Sequence, residues 1–154
     1  METRRHGRGG AGILFWRRGA SDVPEILLGL RARSIRHAPG TWSHPGGSLH
    51  PGEDPLCGAV REAEEETAEG LRRGLFSDST RFREPVRLRV LSFRPLVDYE
   101  YTTYSCEVLE SPPRWPSRNW EHEDFGWFPV DRLPSPLYRE ARASIRELLK
   151  RLPG

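Results

Sequence analysis

The chain has 154 residues, of which 36% are apolar, 10% aromatic and 30% charged, with a formal net charge of +2. That is one domain of ordinary size, able to bury roughly 68–70% of its unfolded surface without a disulfide or metal staple, and too apolar to be disordered throughout. No apolar run approaches the ~18 residues of a membrane span, and Ile13 to Trp16 is too short for an export-signal core, so a cytoplasmic protein with no membrane partner is expected.

Residues 1–11 are rich in Arg and Gly and read as a disordered arm ahead of a single domain over residues 12–154. The Arg-Arg-His-Gly-Arg-Gly-Gly run of that arm is the one feature suited to touching nucleic acid; an unstructured terminus with no such role is the simpler reading. Lys150 is the sole lysine among 24 basic residues. A GC-rich coding sequence accounts for most of this skew, and guanidinium forks that meet phosphates or carboxylates for the rest.

Residues 12–18 and 25–33 have the pattern of two strands joined by a polar turn at 19–24. Residues 34–55 are punctuated by Gly and Pro and should be mostly loop. A helix is predicted over 56–69. Residues 86–93 and 99–108 are rich in β-branched and aromatic side chains and predict strands. The stretch 111–119, with three prolines, predicts a surface loop, and 125–130 a short strand. A final helix over 137–152 places Ile145, Leu148, Leu149 and Leu152 on one stripe. Strands, a helix, more strands and a closing helix make an α/β domain with a mixed sheet between helices. Cys57 and Cys106 have no metal-ligand spacing around them and read as buried thiols.

The most informative run is Arg61 to Glu69. On a helix Glu62, Glu65, Glu66 and Glu69 fall at i, i+3, i+4 and i+7 and share a face, where like charges repel. A hard divalent cation would turn that repulsion into binding, because carboxylate oxygens suit Mg²⁺, Mn²⁺ or Ca²⁺. Alone, the run would read as a solvated acidic face. The turn Pro45-Gly46-Gly47 precedes it, with Glu53 after five residues and Arg61-Glu62 after seven more.

These residues resemble the Nudix hydrolase box, G-x5-E-x7-R-E-U-x-E-E-x-G-U, in which U is bulky and aliphatic. Gly47, Glu53, Arg61, Glu62, Glu65 and Glu66 occupy its fixed positions at the correct spacing. Ala63 stands at the first U, and Ala68-Glu69 replaces the closing Gly-U pair. With Gly70-Leu71 following, a two-residue extension of the helix is expected, Gly70 supplying a left-handed residue and Leu71 an apolar contact. His44 stands before the turn, where an apolar residue is usual, and reads as a partly exposed loop histidine.

The resemblance implies a Nudix-type α/β/α sandwich and Mg²⁺-dependent hydrolysis, Mn²⁺ being an alternative ion. The bond cut would be a pyrophosphate bond in a nucleoside diphosphate linked to another moiety, of the nucleoside triphosphate or dinucleoside polyphosphate class. By carry-over, Glu62, Glu65 and Glu66 are metal ligands together with the Gly46 carbonyl, and Glu66 is the carboxylate nearest the attacking water. Glu53 and Arg61 form a structural pair. The pattern E-H-x-x-F-x-W from Glu121 to Trp127 resembles that of diadenosine tetraphosphate hydrolases and makes Glu121 a further ligand or general base, with Glu123 the second choice. His122 reads as a loop residue and Trp127 as core. For the substrate, Trp42, Tyr99, Tyr101 and Tyr104 have faces suited to stacking on a base, and Arg33, Arg36 and Arg94 are suited to phosphates; Arg33, Trp42 and Tyr101 are the chosen set. Two other functions fit the same residues: removal of pyrophosphate from RNA 5′ ends with help from the arm, and a non-catalytic Nudix module that senses a nucleotide.

Overall fold

The computed structural model describes residues 9–89, 93–94, 99–117 and 119–153. Eight strands and two helices follow one another as β1 (Gly9–Arg18), β2 (Pro24–Arg31), β3 (Trp42–Ser43), β4 (Gly46–Ser48), α1 (Pro55–Thr67), β5 (Val86–Arg87), β6 (Phe93–Arg94), β7 (Tyr99–Glu107), β8 (His122–Pro129) and α2 (Arg139–Arg151). All strands belong to one sheet. It is mixed, since β1 and β7 pair in parallel and the other pairs are antiparallel.

Side-chain alternation along β1 and β2 sorts the core into two halves. Ala11, Ile13, Phe15 and Leu27 face α1 and meet Ala59 and Ala63. Leu14, Trp16, Ile26 and Leu28 face α2 and meet Ile145 and Leu148. A central strand buried on both faces needs apolar residues at every position, and the run from Ile13 to Trp16 supplies them. The result is the expected α/β/α sandwich. Among the described residues no helix is long and apolar enough to cross a membrane.

Several boundaries differ from the sequence expectation. β1 begins at Gly9, so Gly9–Ala11, expected in the arm, are in the sheet. Their backbone pairs with Glu100, Tyr101 and Thr102 of β7, and Gly10 and Ala11 also pair with Ser48 and Gly47 of β4. Residues 1–8 of the expected arm lie outside the described residues, as does the middle of the strand expected over 86–93. The helix α1 starts at Pro55 behind Asp54, whose carboxylate accepts from the Leu56 and Cys57 N–H groups as an N-cap.

No helix extension to Glu69 forms; α1 stops at Thr67. The Thr67 carbonyl accepts from the Ser117 N–H at 2.6 Å, and Ser117 Oγ reaches the Glu69 carbonyl at 3.0 Å. The 111–117 segment thus takes acceptors at the helix end. Gly70 does adopt the left-handed conformation, at φ 83°, and Leu71 packs on the α1-side core.

That segment is not merely a surface loop, because Trp115 is buried among Phe15, Phe76 and Phe82. Its indole N–H donates to Thr67 Oγ1 at 2.9 Å, which satisfies the polar edge of a core aromatic. Cys106 is buried as expected, and burial pushes its thiol up to about 12; Cys57, on the first turn of α1, is exposed instead. Leu149 is 40% exposed and lies off the buried stripe of α2.

Strands β1 and β2 pair only where Trp16, Arg17 and Arg18 face Ile26, Glu25 and Pro24. Beyond that they diverge. β4 then pairs with β1 at Gly10–Gly12, and β3 pairs with β2 at Gly29 and Leu30. This fork holds the segment that runs from Trp42 to Ser48.

Candidate active site

A cavity of about 550 Å³ opens in the fork. Its floor is the turn at Pro45, whose carbonyl accepts from the Ile13 N–H at 3.0 Å. The two glycines after Pro45 have steric reasons to be there. A Cβ on Gly46 would collide with the Tyr101 hydroxyl, and one on Gly47 would lie 2.5 Å from Glu62 Oε1. Without side chains, the turn lets β7 and α1 close on the same space.

Arg61 ties α1 to this turn. Its Nε and Nη2 donate to Glu53 Oε2 and Oε1 at 2.9 and 3.0 Å, a bidentate fork, and Nη2 also donates to the Ser48 carbonyl at 2.9 Å. Nη1 reaches Glu62 at 3.0 Å and Glu65 at 3.3 Å. The guanidinium holds the Glu53 carboxyl down to about 2, helped by the His50 N–H. The pairing expected of Glu53 and Arg61 is therefore present.

The glutamates of α1 divide. Glu62 and Glu66 line the cavity, whereas the Glu65 side chain is 57% exposed and pairs with Arg61 outside the lining; Glu69, past the helix end, is exposed. Glu66 is 3% exposed. Burial first, then the neighbouring Glu62 and Glu121, pushes its carboxyl well above the usual carboxylate range, against the pull of the Gly46 N–H at 3.4 Å.

Glu121 faces the same cavity from the far side of the sheet sequence. Burial raises its carboxyl, Arg31 lowers it, and Glu62 and Glu65 raise it. It sits in a turn just before β8, so strand alternation does not relate it to Glu123. Glu123 is exposed, does not line the cavity, and accepts the Arg33 N–H at 3.1 Å.

His122 is no loop residue. It opens β8, is buried, and places Nε2 3.6 Å from Glu66 Oε1. Burial, with Arg31 second, holds its imidazole down to about 4, so it brings no positive charge to Glu66 at neutral pH.

Arg31, His44, Tyr101 and Tyr138 also line the cavity, Arg31 in register with His122 across the β2–β8 pair. Of the expected substrate residues, only Tyr101 lines the cavity. Arg33 lies beyond the end of β2 and is exposed; Arg31, the last residue of β2, faces the cavity in its place. Trp42 packs on the α2-side core, its ring 4.9 Å from Phe128. Tyr104 belongs to the α1-side core, and Arg36 is exposed away from the cavity. The side chains of Arg94 and Tyr99 lie outside the described residues. His44 is buried, not partly exposed: its Nδ1 is 3.1 Å from the Pro45 carbonyl, so Nδ1 carries the proton, and burial lowers its pKa. Arg31 lay within the strand predicted over 25–33 and His44 in the middle of the loop predicted over 34–55, so neither carried a positional signal. Tyr138 and Glu140 at the start of α2 carried no sequence signal.

Four carboxylates, Glu62, Glu66, Glu121 and, at the start of α2, Glu140, thus line a cavity with one guanidinium, Arg31. Among the described residues no three His, Cys, Asp or Glu side chains stand close enough together to hold a metal ion as they are placed. The donor chemistry nonetheless fits a hard divalent cation. The groups are oxygen donors, and the buried Glu66 carboxyl is destabilised by like-charged neighbours that a cation would compensate.

The NUDIX domain matches residues 7–152 of the chain. None of the curated proteins matches it. Among solved structures, the chain is similar to a Nudix hydrolase from M. smegmatis, RenU, at 27% identity and a TM-score of 0.69, over 96% of this chain and 89% of that one. A MutT NUDIX hydrolase from Burkholderia pseudomallei is 23% identical at a TM-score of 0.65, covering 92% and 97%. The NUDIX domain of Shewanella oneidensis NrtR, complexed with ADP ribose, is 17% identical at 0.64, covering 94% and 88%. With Glu62 and Glu66 of the box at one cavity and the domain match spanning nearly the whole chain, this protein belongs to the Nudix hydrolase family, whose general chemistry is hydrolysis of pyrophosphate bonds.

Proposed function

We propose that the protein hydrolyses a pyrophosphate bond in a nucleoside diphosphate linked to another moiety, with Mg²⁺ or Mn²⁺ held by Glu62, Glu65, Glu66, Glu121 and the Gly46 carbonyl. The convergence of Glu62, Glu66 and Glu121 on one cavity carries this reading. Glu65, which pairs with Arg61 outside the cavity lining, would have to release that contact to join. When bound, the cation neutralises phosphate charge and makes water a better nucleophile.

The chain's own residues do the remaining work. Glu66, buried at the floor, takes the proton from the attacking water, with Glu65 and Glu121 as further candidates for that task. As water bonds to phosphorus, the bridging P–O bond breaks and its electrons leave with the departing phosphate. Arg31 donates to phosphate oxygens; its Nε is held by the His37 carbonyl at 3.0 Å, which aims the rest of the guanidinium. Tyr101 contacts the organic part of the substrate. The bound ADP ribose in the NrtR structure is of this chemical class, and the cytoplasm is the compartment that goes with it.

The test is a set of nucleoside triphosphates, dinucleoside polyphosphates and nucleoside diphosphate sugars incubated with Mg²⁺ or Mn²⁺, with products weighed by mass spectrometry. Turnover that stops in EDTA and returns with millimolar Mg²⁺ is expected. Full activity in excess chelator would overturn the cation reading, and tight binding without turnover would point to a sensing module.

A further inference from the structure

The turn that delivers Glu121 meets α1 through the side-chain amide of Asn119, two residues after Ser117, whose N–H and Oγ donate to the Thr67 carbonyl at the helix end. Asn119 Nδ2 donates to the main-chain carbonyl of Glu66. Asn119 Oδ1 accepts from the Glu121 N–H at 2.8 Å and stands 3.3 Å from His122 Nδ1. Because a carbonyl only accepts and an N–H only donates, these partners fix which way the amide points. The same contact puts the His122 proton on Nδ1 and leaves Nε2 toward the Glu66 carboxyl. Asn119 therefore grips the main chain of Glu66 with one atom, and Glu121 and His122 with the other. A further tie of this turn, Ala32 N–H to the Glu121 carbonyl at 2.8 Å, runs to the residue just after β2 and not to the helix.

We infer that Asn119 is a positioning residue for the cation site, setting the reach of Glu121 toward Glu62 and Glu66. The inference rests on the reading of those carboxylates as cation ligands. Glu121 repels both helix acids, and it is carried by a turn and not by a strand. A carboxylate so placed moves outward to solvent unless its main chain is held. Partners that orient a ligand in this way typically set metal affinity by 10–100-fold.

The probe is Mn²⁺ alone, with free ion read by electron paramagnetic resonance and folding followed by circular dichroism on the full chain. Asn119→Ala should weaken Mn²⁺ binding by about 10-fold or more, and Glu121→Gln should weaken it as well. On the Glu121→Gln background, Asn119→Ala should cost less than about 2-fold further, because both changes act through one carboxylate. Asn119→Asp separates position from charge. A charge-only account has the added carboxylate tighten Mn²⁺ binding; loss of the Nδ2 donor facing the Glu66 carbonyl should weaken it. Additive losses in the cycle, unchanged affinity in folded Asn119→Ala, or tighter binding in Asn119→Asp overturns the inference. If Glu121→Gln alone leaves Mn²⁺ affinity unchanged, the ligand reading of Glu121 fails first and takes the role of Asn119 with it. Should Asn119→Ala not fold, Asn119→Ser carries the same cycle.

Discussion

Replacing Arg61 with Ala removes the bidentate fork to Glu53, the bond to the Ser48 carbonyl and the contacts to Glu62 and Glu65 in one step. Stranding one partner of a fully buried pair costs ~3–5 kcal/mol, whereas exposed pairs contribute ~0.2–1 kcal/mol. The Arg61 and Glu53 side chains are 22% and 15% exposed, so the cost lies between these limits, at about 2 kcal/mol. For a domain of this size, each kcal/mol shifts the melting temperature by about 2–4 °C. Arg61→Ala should therefore melt ~4–8 °C below the parent, followed by circular dichroism at pH 7 in EDTA. Glu65→Gln is the comparison. It loses only a 3.3 Å contact on a side chain that is 57% exposed, and should shift by no more than ~2 °C. If the two variants melted alike, the structural role of Arg61 would be refuted.

The same pair gives a pH signature. The Glu53 carboxyl is held down to about 2, below its unfolded value, so its stabilisation is complete above the unfolded pKa and disappears as pH falls toward the folded one; the gap in melting temperature between parent and Arg61→Ala should close between pH 5 and pH 2. Glu66→Gln keeps the shape of a crowded, buried carboxyl and removes its charge, so melting in chelator should be unchanged or higher while turnover falls ~10²-fold or more; near-normal turnover in steady-state assays would show Glu66 to be misassigned. Glu121→Gln should lower turnover, whereas Glu123→Gln, whose carboxylate faces away to the Arg33 N–H, should not, and the reverse ranking would transfer the role. Gly47→Ala places a methyl against Glu62 Oε1 and should weaken Mn²⁺ binding in a calorimetric titration with little change in melting temperature; unaltered binding would mean that Glu62 does not need that space.

What could be read from the sequence was what depends on short spacing. The box residues lie within two consecutive segments, and helix periodicity places Glu62 and Glu66 on one face whatever the tertiary context. Periodicity did not separate Glu65 from them, because its outward turn is set by Arg61, whose position depends on Glu53 and Ser48. The two-sided core was legible in the alternation of β1. His44 and His122 were misread because their burial comes from closure of the fork and from the turn at Asn119, contacts between segments far apart in the chain. Arg31 and Arg33 were indistinguishable until the end of β2 was known, since one residue past a strand end the alternation no longer says which way a side chain points. Trp115 was hidden by the three prolines around it, which mark irregular backbone and say nothing of depth.

The connection from β2 to β3 is closed at its base by the Arg31 N–H to the Thr41 carbonyl and the Gly40 N–H to the Arg31 carbonyl, both at 2.9 Å. Everything between these bonds hangs outside the sheet and bends over the cavity, with His37 meeting the Tyr138 hydroxyl at 2.7 Å. The acids sit on α1 and on the turn before β8, covalently remote from this hairpin. The hairpin and the acids are therefore separate pieces of chain around one cavity. A longer or altered hairpin adds only ~0.6 kcal/mol of closure entropy for each doubling of its length. Its length can thus change without altering the stretches of chain that carry Glu62, Glu66 and Glu121.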